Sequence, residues 1–280
     1  MKKYIALLSF FVACVSQATT VLLDGVAVGM IDFNSKKMYD GTDDDLCWAF
    51  AASNAIAYWQ WNQFGNNLPA GIPSGLEYTG NYSGKYTEIT EAFYKSWTNG
   101  GGFEKVAFTW WFTGEDISKE MESESVLKDT AISAGFYKDT IYTQGDFVKE
   151  YDIAENTDVN YIKEVMDYVI NNNGAFTLEI VNPEQESGHA ITLWGYEIVD
   201  DKITGLYISD SDDDLETNFF VEIEWDSEFD GGAWILQGED YKDYYIDGIT
   251  GLVTVPEPST YALIFGAIAL VFVVYRRRIK

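Results

Sequence analysis

The pattern of apolar and polar residues changes along the chain from helical to strand-like. Residues 45–62 are rich in alanine and aromatic residues, which predicts a buried helix with a face of small side chains. Further helical patterns cover residues 88–98 and 160–171. From Gly174 to Val253, runs of β-branched and aromatic residues alternate with turn residues, as in antiparallel strands. This order predicts an α+β fold, with a helical half followed by an antiparallel sheet half.

The first 18 residues have the pattern of a secretory signal peptide. Lys2 and Lys3 supply the positive start, Ile5 to Val15 is apolar, and small residues at the end of the segment suit a cleavage site. An alternative is a lipobox, which would make Cys14 a lipidated N-terminus. The signal predicts export of the mature chain.

The last 25 residues, 256–280, contain a second targeting pattern. Pro256-Glu257-Pro258 is followed by an apolar stretch over 261–275 and by three arginines at 276–278. The stretch is shorter than the roughly 20 residues of a comfortable membrane helix, and the arginines favour the cytoplasmic side. A plain terminal membrane anchor would explain these features. Together they also resemble the PEP-CTERM sorting signal of Gram-negative bacteria. That resemblance implies transient anchoring in the inner membrane, cleavage by an exosortase-type enzyme, and a final location at the cell surface or in the extracellular matrix.

Composition describes a folded and strongly acidic body between these ends. The 280-residue chain is 47% apolar and 16% aromatic, and its formal net charge is −27. Six of the 18 basic and one of the 45 acidic residues lie in the ends, so residues 19–255 hold twelve lysines, no arginine and 44 acids. This charge excludes a general nucleic-acid binder, because the phosphate backbone would be repelled. With no repeat or hinge, residues 19–255 suit one domain.

The mature body contains one cysteine and one histidine. Such a pair cannot form a Cys/His zinc site, which needs three or four ligands. Cys47 follows three aspartates and opens the predicted helix, with Asp44 or Asp45 as the expected N-cap. The helix dipole and unpaired N–H groups at that end lower a thiol pKa, and His189 is the candidate cationic partner. The alternative is that Cys47 is a small buried hydrophobe.

The histidine lies in a predicted β-hairpin. Strands on either side of a turn near Asp201 place His189 opposite the region just after position 210, within reach of Asp210 and Asp212. A carboxylate there would orient the imidazole and raise its basicity. One alternative is a satisfied core histidine. Another is a calcium loop over 210–214, although Leu215 stands where an EF-hand needs glycine.

These segments together resemble the IdeS/Mac family of bacterial cysteine peptidases. The resemblance covers roughly residues 39–61 and 189–213, with the segment between them only loosely similar. It rests on the Leu46-Cys47 turn with its small-residue helix, on the strand after His189, and on the run Leu206 to Asp212. The resemblance implies a papain-like fold for residues 19–255, with cysteine on the helical half and histidine and aspartate on the sheet half.

The family resemblance also implies roles for individual residues. Cys47 would be the nucleophile and His189 the general base and acid, while Asp210 orients His189 and Asp212 supports the same site. The family places a lysine ten residues before its cysteine as an oxyanion donor, which corresponds to Lys37.

The neighbouring Lys36 is the alternative oxyanion donor, since a register error of one residue would exchange the two. The oxyanion that forms during acyl transfer needs a hydrogen-bond donor. No glutamine occurs between Lys37 and Cys47 to serve as that donor. The remaining alternative is that both lysines are simply exposed.

The sequence therefore predicts an exported cysteine endopeptidase that acts on an extracellular protein or peptide and needs no metal or organic cofactor. The alternatives are a non-enzymatic matrix protein that binds polysaccharide and a cysteine-dependent acyltransferase. Immunoglobulin specificity is not transferred from the family, because this chain has an acidic body, a sorting tail and an aromatic segment over 108–114. Trp110 and Trp111 in that segment are candidates for a substrate cleft or for the core.

Overall fold

The fold consists of four helices and eight strands in the part of the chain that the structure describes. In the computed structural model this part is residues 17–27, 37, 41–75, 86–140, 147–183, 187–212, 215, 217–229, 232–241 and 244–253. The helices are α1 Cys47–Phe64, α2 Glu88–Ser96, α3 Glu104–Thr113 and α4 Tyr161–Asn171. The strands are β1 Thr19–Leu22, β2 Val148–Asp152, β3 Ala175–Asn182, β4 Ser187–Val199, β5 Lys202–Ser209, β6 Phe219–Asp226, β7 Ala233–Leu236 and β8 Tyr245–Leu252.

This arrangement confirms the predicted α+β class. The three predicted helices are present as α1, α2 and α4, with ends displaced by one or two residues. Helix α3 was not predicted, because it is apolar around most of its circumference and shows no clear helical period. Strands β1 and β2 also lie outside the predicted sheet region.

All eight strands belong to one antiparallel sheet. Strand β4 is central, since it pairs with β1, β3 and β5. From β3 the pairing continues through β8, β7 and β6 to β5, and it returns from there to β4. The sheet therefore curls into a closed circuit, while β2 extends it beyond β8. The long strand β4 closes the circuit between β3 and β5, and it carries His189.

The hairpin between β4 and β5 has the turn that the sequence predicts. Val199 pairs with Lys202, and the two residues between them, Asp200 and Asp201, have φ angles of 50° and 61°. Two central residues of positive φ make the tight turn whose twist matches that of paired strands. The turn sets the register of the hairpin and so brings the end of β5 beside the start of β4.

Helix α1 is the core element of the helical half. Every residue from Trp48 to Gln60 is buried, and the helix packs against β3, β4, α2 and α3. Asn54 donates a hydrogen bond to Thr192 Oγ1 on β4 at 3.0 Å, which satisfies a buried polar group. Burial on all sides leaves α1 little freedom to rotate or slide, and it holds the first residue of the helix in place against the sheet.

Aromatic side chains fill the space between α1, α2 and α3. Trp48 meets Trp97 edge to face with ring centroids 5.4 Å apart, and Phe93 contacts both Trp110 and Trp111. Trp110 and Trp111 are buried. Of the two interpretations of this tryptophan pair, the structure supports the core and not the cleft.

No helix among the described residues combines the length and the apolar character needed to cross a membrane. The predicted signal peptide up to residue 16, including Cys14, and the predicted span over 261–275 lie outside the described residues. The proposed division into end segments and a body over 19–255 stays a prediction.

Gly135 provides a test of how α3 ends. Its φ is +78°, and a Cβ there would lie 2.8 Å from the carbonyl oxygen of Thr113. We expect Gly135→Ala to lower the free energy of unfolding by about 2–4 kcal/mol, through both backbone strain and this clash. Gly71→Ala is the matched control, because Gly71 has φ +87° and an added methyl group there would meet no atom within 4 Å. The control should cost about 1–2 kcal/mol. Equal losses in urea denaturation would contradict the prediction.

Candidate active site

Cys47 is the first residue of α1 and is partly buried. The predicted N-cap was wrong. The N-cap is Leu46, whose carbonyl oxygen accepts from the N–H groups of two residues in the first turn. Leu46 is buried and its own N–H donates to Asp43 at 3.0 Å, so this tight turn directs the chain into the core one residue later than expected. Asp44 and Asp45 consequently line the groove in front of the helix.

His189 is held by a carboxylate as the hairpin predicts. Its Nε2 lies 2.8 Å from Oδ1 of Asp210, which is itself buried. Asp210 also accepts a hydrogen bond from the backbone N–H of Asp212 at 2.9 Å and, on Oδ2, from the hydroxyl of Tyr241 at 2.9 Å. Both carboxylate oxygens are therefore engaged, and the plane of the group is fixed. The predicted contact between His189 and Asp210 is confirmed.

The thiol of Cys47 interacts with the other side of the imidazole. A hydrogen bond joins the two side chains, and because Asp210 occupies Nε2, Nδ1 is the nitrogen that remains for the sulfur. The backbone N–H of Ala190 on β4 also donates to the sulfur. These contacts bring the first residue of α1 and the start of β4 together.

Electrostatics favour the charged forms of this pair. Burial by itself raises the pKa of Cys47, but the hydrogen bond and charge of His189 and the charge of Lys37 outweigh it, so the pKa is lowered. Burial likewise lowers the pKa of His189, but Asp210 and Cys47 raise it well above its ordinary value. The pKa of Asp210 is lowered, because the imidazole and its other donors outweigh burial. The arrangement therefore favours a thiolate beside an imidazolium.

Lys37 is buried next to this pair. Its Nζ lies 2.6 Å from Oδ1 of Asp212 and also donates to the carbonyl oxygen of Asp44. Its backbone N–H donates to the carbonyl of Ser211 at 3.1 Å, which ties it to the chain just after β5. Asp212 thus supports the site through the lysine, and it reaches Asp210 only with its backbone. The alternative donor, Lys36, lies outside the described residues.

The same cluster is the place where the described residues come nearest to a metal site. Ligand atoms of His189, Asp210 and Asp212 lie within 4.8 Å of one another. These atoms are already used, because Asp210 bonds to the imidazole and Asp212 pairs with the Lys37 ammonium. A cation here would have to displace or face that ammonium, so the donor set does not fit a metal. Asp213 and Asp214 of the predicted calcium loop lie outside the described residues.

An open groove of about 740 Å³ passes over the site. Cys47, His189 and Lys37 line it, together with Phe219 and Tyr244 on its outer wall. The groove therefore reaches the residue that carries the thiol.

A second pocket of about 430 Å³ begins at the same cysteine and histidine. It is acidic, and its lining includes Glu104 at the start of α3 and Glu179 on β3. Burial, with the charge of Glu179 as the next cause, raises the pKa of Glu104 to about 8. Burial, with the charges of three neighbouring acids, raises the pKa of Glu179 to about 7. Carboxyl groups with strongly raised pKa values in a cleft are common at functional sites.

The sequence patterns did not predict Tyr241, Glu104 or Glu179 as site residues. Tyr241 lies in a short 3-10 helix after β7, far along the chain from Asp210, and no local motif marks it. Glu104 looks like an ordinary acidic residue in the first turn of a helix, so only its burial in the folded chain distinguishes it. The glycine run before Glu104 was an available signal for close backbone packing, since a Cβ on Gly102 would lie 2.6 Å from the Trp48 ring.

The lowered pKa of Cys47 predicts rapid alkylation in mild acid. Free cysteine has a pKa of about 8.5 and is almost entirely thiol at about pH 6, whereas the lowered pKa of Cys47 gives it a larger thiolate fraction at the same pH. We expect iodoacetamide to label Cys47 at about pH 6 at least about tenfold faster than it labels free cysteine. His189→Ala should remove this advantage, and mass spectrometry of the labelled chain measures both rates. Equal rates for the native and mutant chains would contradict the assignment of the ion pair.

The raised pKa of Glu104 predicts a stability that depends on pH. The group ionises near pH 4.3 in an unfolded chain but near pH 8 in the folded one, so its stabilising contribution is complete in acid and is lost as the pH rises. Glu104→Gln should therefore raise the free energy of unfolding by about 2 kcal/mol or more at pH 8.5, relative to its effect at pH 5. Glu164→Gln, at an exposed position on α4, is the matched control. An effect of Glu104→Gln that is the same at both pH values would count against the raised pKa.

No protein-family model matches the chain, and comparison with curated proteins finds no match. The resemblance to the IdeS/Mac family and to the PEP-CTERM signal therefore stays a prediction.

Proposed function

We propose that the protein is a cysteine endopeptidase that hydrolyses peptide bonds through Cys47, His189 and Asp210. The observation that carries the proposal is the hydrogen-bonded series from thiol to imidazole to buried carboxylate at the base of an open groove. A thiol activated by an oriented base is the arrangement that nucleophilic acyl transfer requires. It needs no metal or organic cofactor.

The first half of the reaction would form a thioester. The Cys47 thiolate attacks the carbonyl carbon of the peptide bond, and the carbonyl oxygen becomes an oxyanion. When the C–N bond breaks, the His189 imidazolium gives its proton to the departing amine. Asp210 keeps the ring in the orientation that presents Nδ1 to the groove, since it holds Nε2 at 2.8 Å.

The second half would hydrolyse the thioester. Water takes the place of the amine, gives a proton to the neutral His189 and attacks the thioester carbonyl. The C–S bond then breaks, and the thiolate and imidazolium are restored with release of a carboxylic acid. Tyr241 acts as a positioning residue in both halves, because its hydroxyl holds the second oxygen of Asp210 at 2.9 Å.

Two donors are available for the oxyanion. The N–H groups at the start of α1 have no partner within the helix, and Cys47 lines the groove, so its N–H is the first candidate donor. The Lys37 ammonium has three N–H donors, of which Asp212 and Asp44 account for two among the described residues. The third is available to an oxyanion, a contribution commonly worth about 3 kcal/mol. Asp212 keeps this lysine in place.

The papain-like fold and the IdeS/Mac relationship are part of the same proposal. A cysteine at the start of a buried helix that faces histidine and aspartate on an antiparallel sheet supports them. Two pockets that share Cys47 and His189 in their linings support an endopeptidase, because a substrate segment could occupy one pocket on each side of the scissile bond. Export, the exosortase-type partner, the inner-membrane stage and the final extracellular location rest on the sequence patterns of the two ends.

Turnover by variants tests the proposal. On an unstructured protein such as casein, Cys47→Ala should reduce turnover by about a million-fold, to background, with little change in thermal unfolding. Asp210→Asn should reduce kcat by about a hundredfold or more, and Tyr241→Phe by about tenfold or less. Since Tyr241 acts through Asp210, its loss should also shift the pH profile of kcat, which a purely structural role would not do.

The competing functions give different results in the same assays. A polysaccharide-binding matrix protein would show no cleavage and no enhanced thiol labelling. An acyltransferase would join the acyl group to an added amine, which product mass spectrometry detects. Full activity in Cys47→Ala would overturn the mechanism.

A further inference from the structure

The acidic pocket beside Cys47 has an unusual lining. Four glutamates line it. Glu122 and Glu124 are exposed at its rim, and Glu104 and Glu179 lie further inside. No lysine lines this pocket among the described residues. Lys105, which follows Glu104 in α3, pairs instead with Glu150 at 2.5 Å on an exposed part of the surface.

Glu104 points to a missing cationic partner. It is only 3% exposed, and its Oε1 has no hydrogen-bond partner among the described residues. The rest of the carboxyl group is held, since Glu104 interacts with the hydroxyl of Thr177. A buried acceptor left without a donor is energetically unfavourable, so a ligand that supplies an N–H group here would gain that interaction.

The spacing of the carboxylates argues against a divalent metal ion. A metal needs several oxygens that converge on one point, and Ca²⁺ takes six to eight at about 2.3–2.6 Å. Among the described residues, the groups whose ligand atoms converge within 4.8 Å include only His189, Asp210 and Asp212, and none of the pocket glutamates. Dispersed carboxylates suit a side-chain cation, which carries several N–H donors that point in different directions.

The remaining walls suit the aliphatic part of such a side chain. Phe103 and Val181 line the pocket between its rim and its interior, and both are partly exposed. The side chains of lysine and arginine have an apolar stem that ends in a charged group. The stem could pack against the apolar walls while the charged group reaches the glutamates. Gly101 adds no side chain at the junction with Cys47, and a Cβ there would point towards Glu124, 3.6 Å from a carboxylate oxygen.

We propose that this pocket is a specificity site that binds a lysine or arginine side chain of the substrate close to the scissile bond. The proposal rests on the proposed endopeptidase function and names its substrate class. Glu104 binds the charge inside the pocket, and Glu122 and Glu124 attract it at the rim. The strongly acidic body would draw cationic segments towards the groove in the same way.

The proposed preference for a cationic side chain should depend on pH, because Glu104 and Glu179 have raised pKa values. The groups that face Glu104 are Glu179 from β3 and Cys47 from α1, and those that face Glu179 are Asp247, Glu150 and Asp152 from β8 and β2. Burial, together with the charges of these acids, raises the pKa values of Glu104 and Glu179 to about 8 and about 7. The preference for a cationic side chain should therefore grow as the pH rises through this range.

A peptide library cleaved by the full chain provides the test. Mass spectrometry should find lysine and arginine enriched at one position near the cut. Synthetic peptides that differ only in lysine or glutamine at that position then give a ratio of kcat/KM. Glu104→Gln should lower this ratio by about tenfold or more, while Glu164→Gln on α4 should leave it unchanged. If Glu104→Gln does not fold, the exposed pair Glu122→Gln and Glu124→Gln replaces it, with a smaller decrease expected.

The outcomes separate the two proposals. Cleavage without cationic enrichment, or a ratio that Glu104→Gln does not change, overturns the specificity site and leaves the endopeptidase intact. Absence of any cleavage overturns the endopeptidase, and the pocket is then tested through labelling of Cys47 by aminoethyl and methyl methanethiosulfonate. The cationic reagent should be favoured, and Glu104→Gln should reduce the preference. An unchanged preference, or Ca²⁺ binding that Glu104→Gln abolishes, would overturn the pocket assignment.

Discussion

The interaction on which the structure depends is the contact between the thiol of Cys47 and the imidazole of His189. It joins the first residue of a fully packed helix to the central strand of the sheet. Neither partner can adjust alone, because α1 is buried over most of its length and β4 is paired on both edges. The position of the thiol relative to the imidazole therefore depends on how the two halves pack against each other.

The surroundings of this contact reflect a shortage of positive charge. The body has twelve lysines against 44 acids, yet one of those lysines is buried beside the thiol. Lys37 is held there by Asp212 and the carbonyl of Asp44, and with His189 it lowers the pKa of Cys47 despite burial. The neighbouring pocket differs, because Glu104 is buried there and no lysine lines the pocket among the described residues.

Much of the candidate site could be predicted because its parts have short-range signals. The turn at Asp200 and Asp201 determines the hairpin register, and the register places Asp210 beside His189. The local predictions were wrong or incomplete where tertiary packing outweighed the preferences of neighbouring residues. The aspartates before Cys47 are good caps by propensity, but burial of Leu46 moved the helix start past them. Helix α3 was hidden because a helix buried on most sides lacks an amphipathic period.

The sequence by itself determined the α+β class, the hairpin and the identity of the single thiol and imidazole in the body, because each depends on residues close together in the chain or on composition. Only the tertiary structure decided that Tyr241 holds Asp210, that Asp212 supports Lys37, and that Glu104 is buried beside the nucleophile. These contacts join residues far apart in sequence. They follow from how helices and sheet pack, a property that no local pattern of residues encodes.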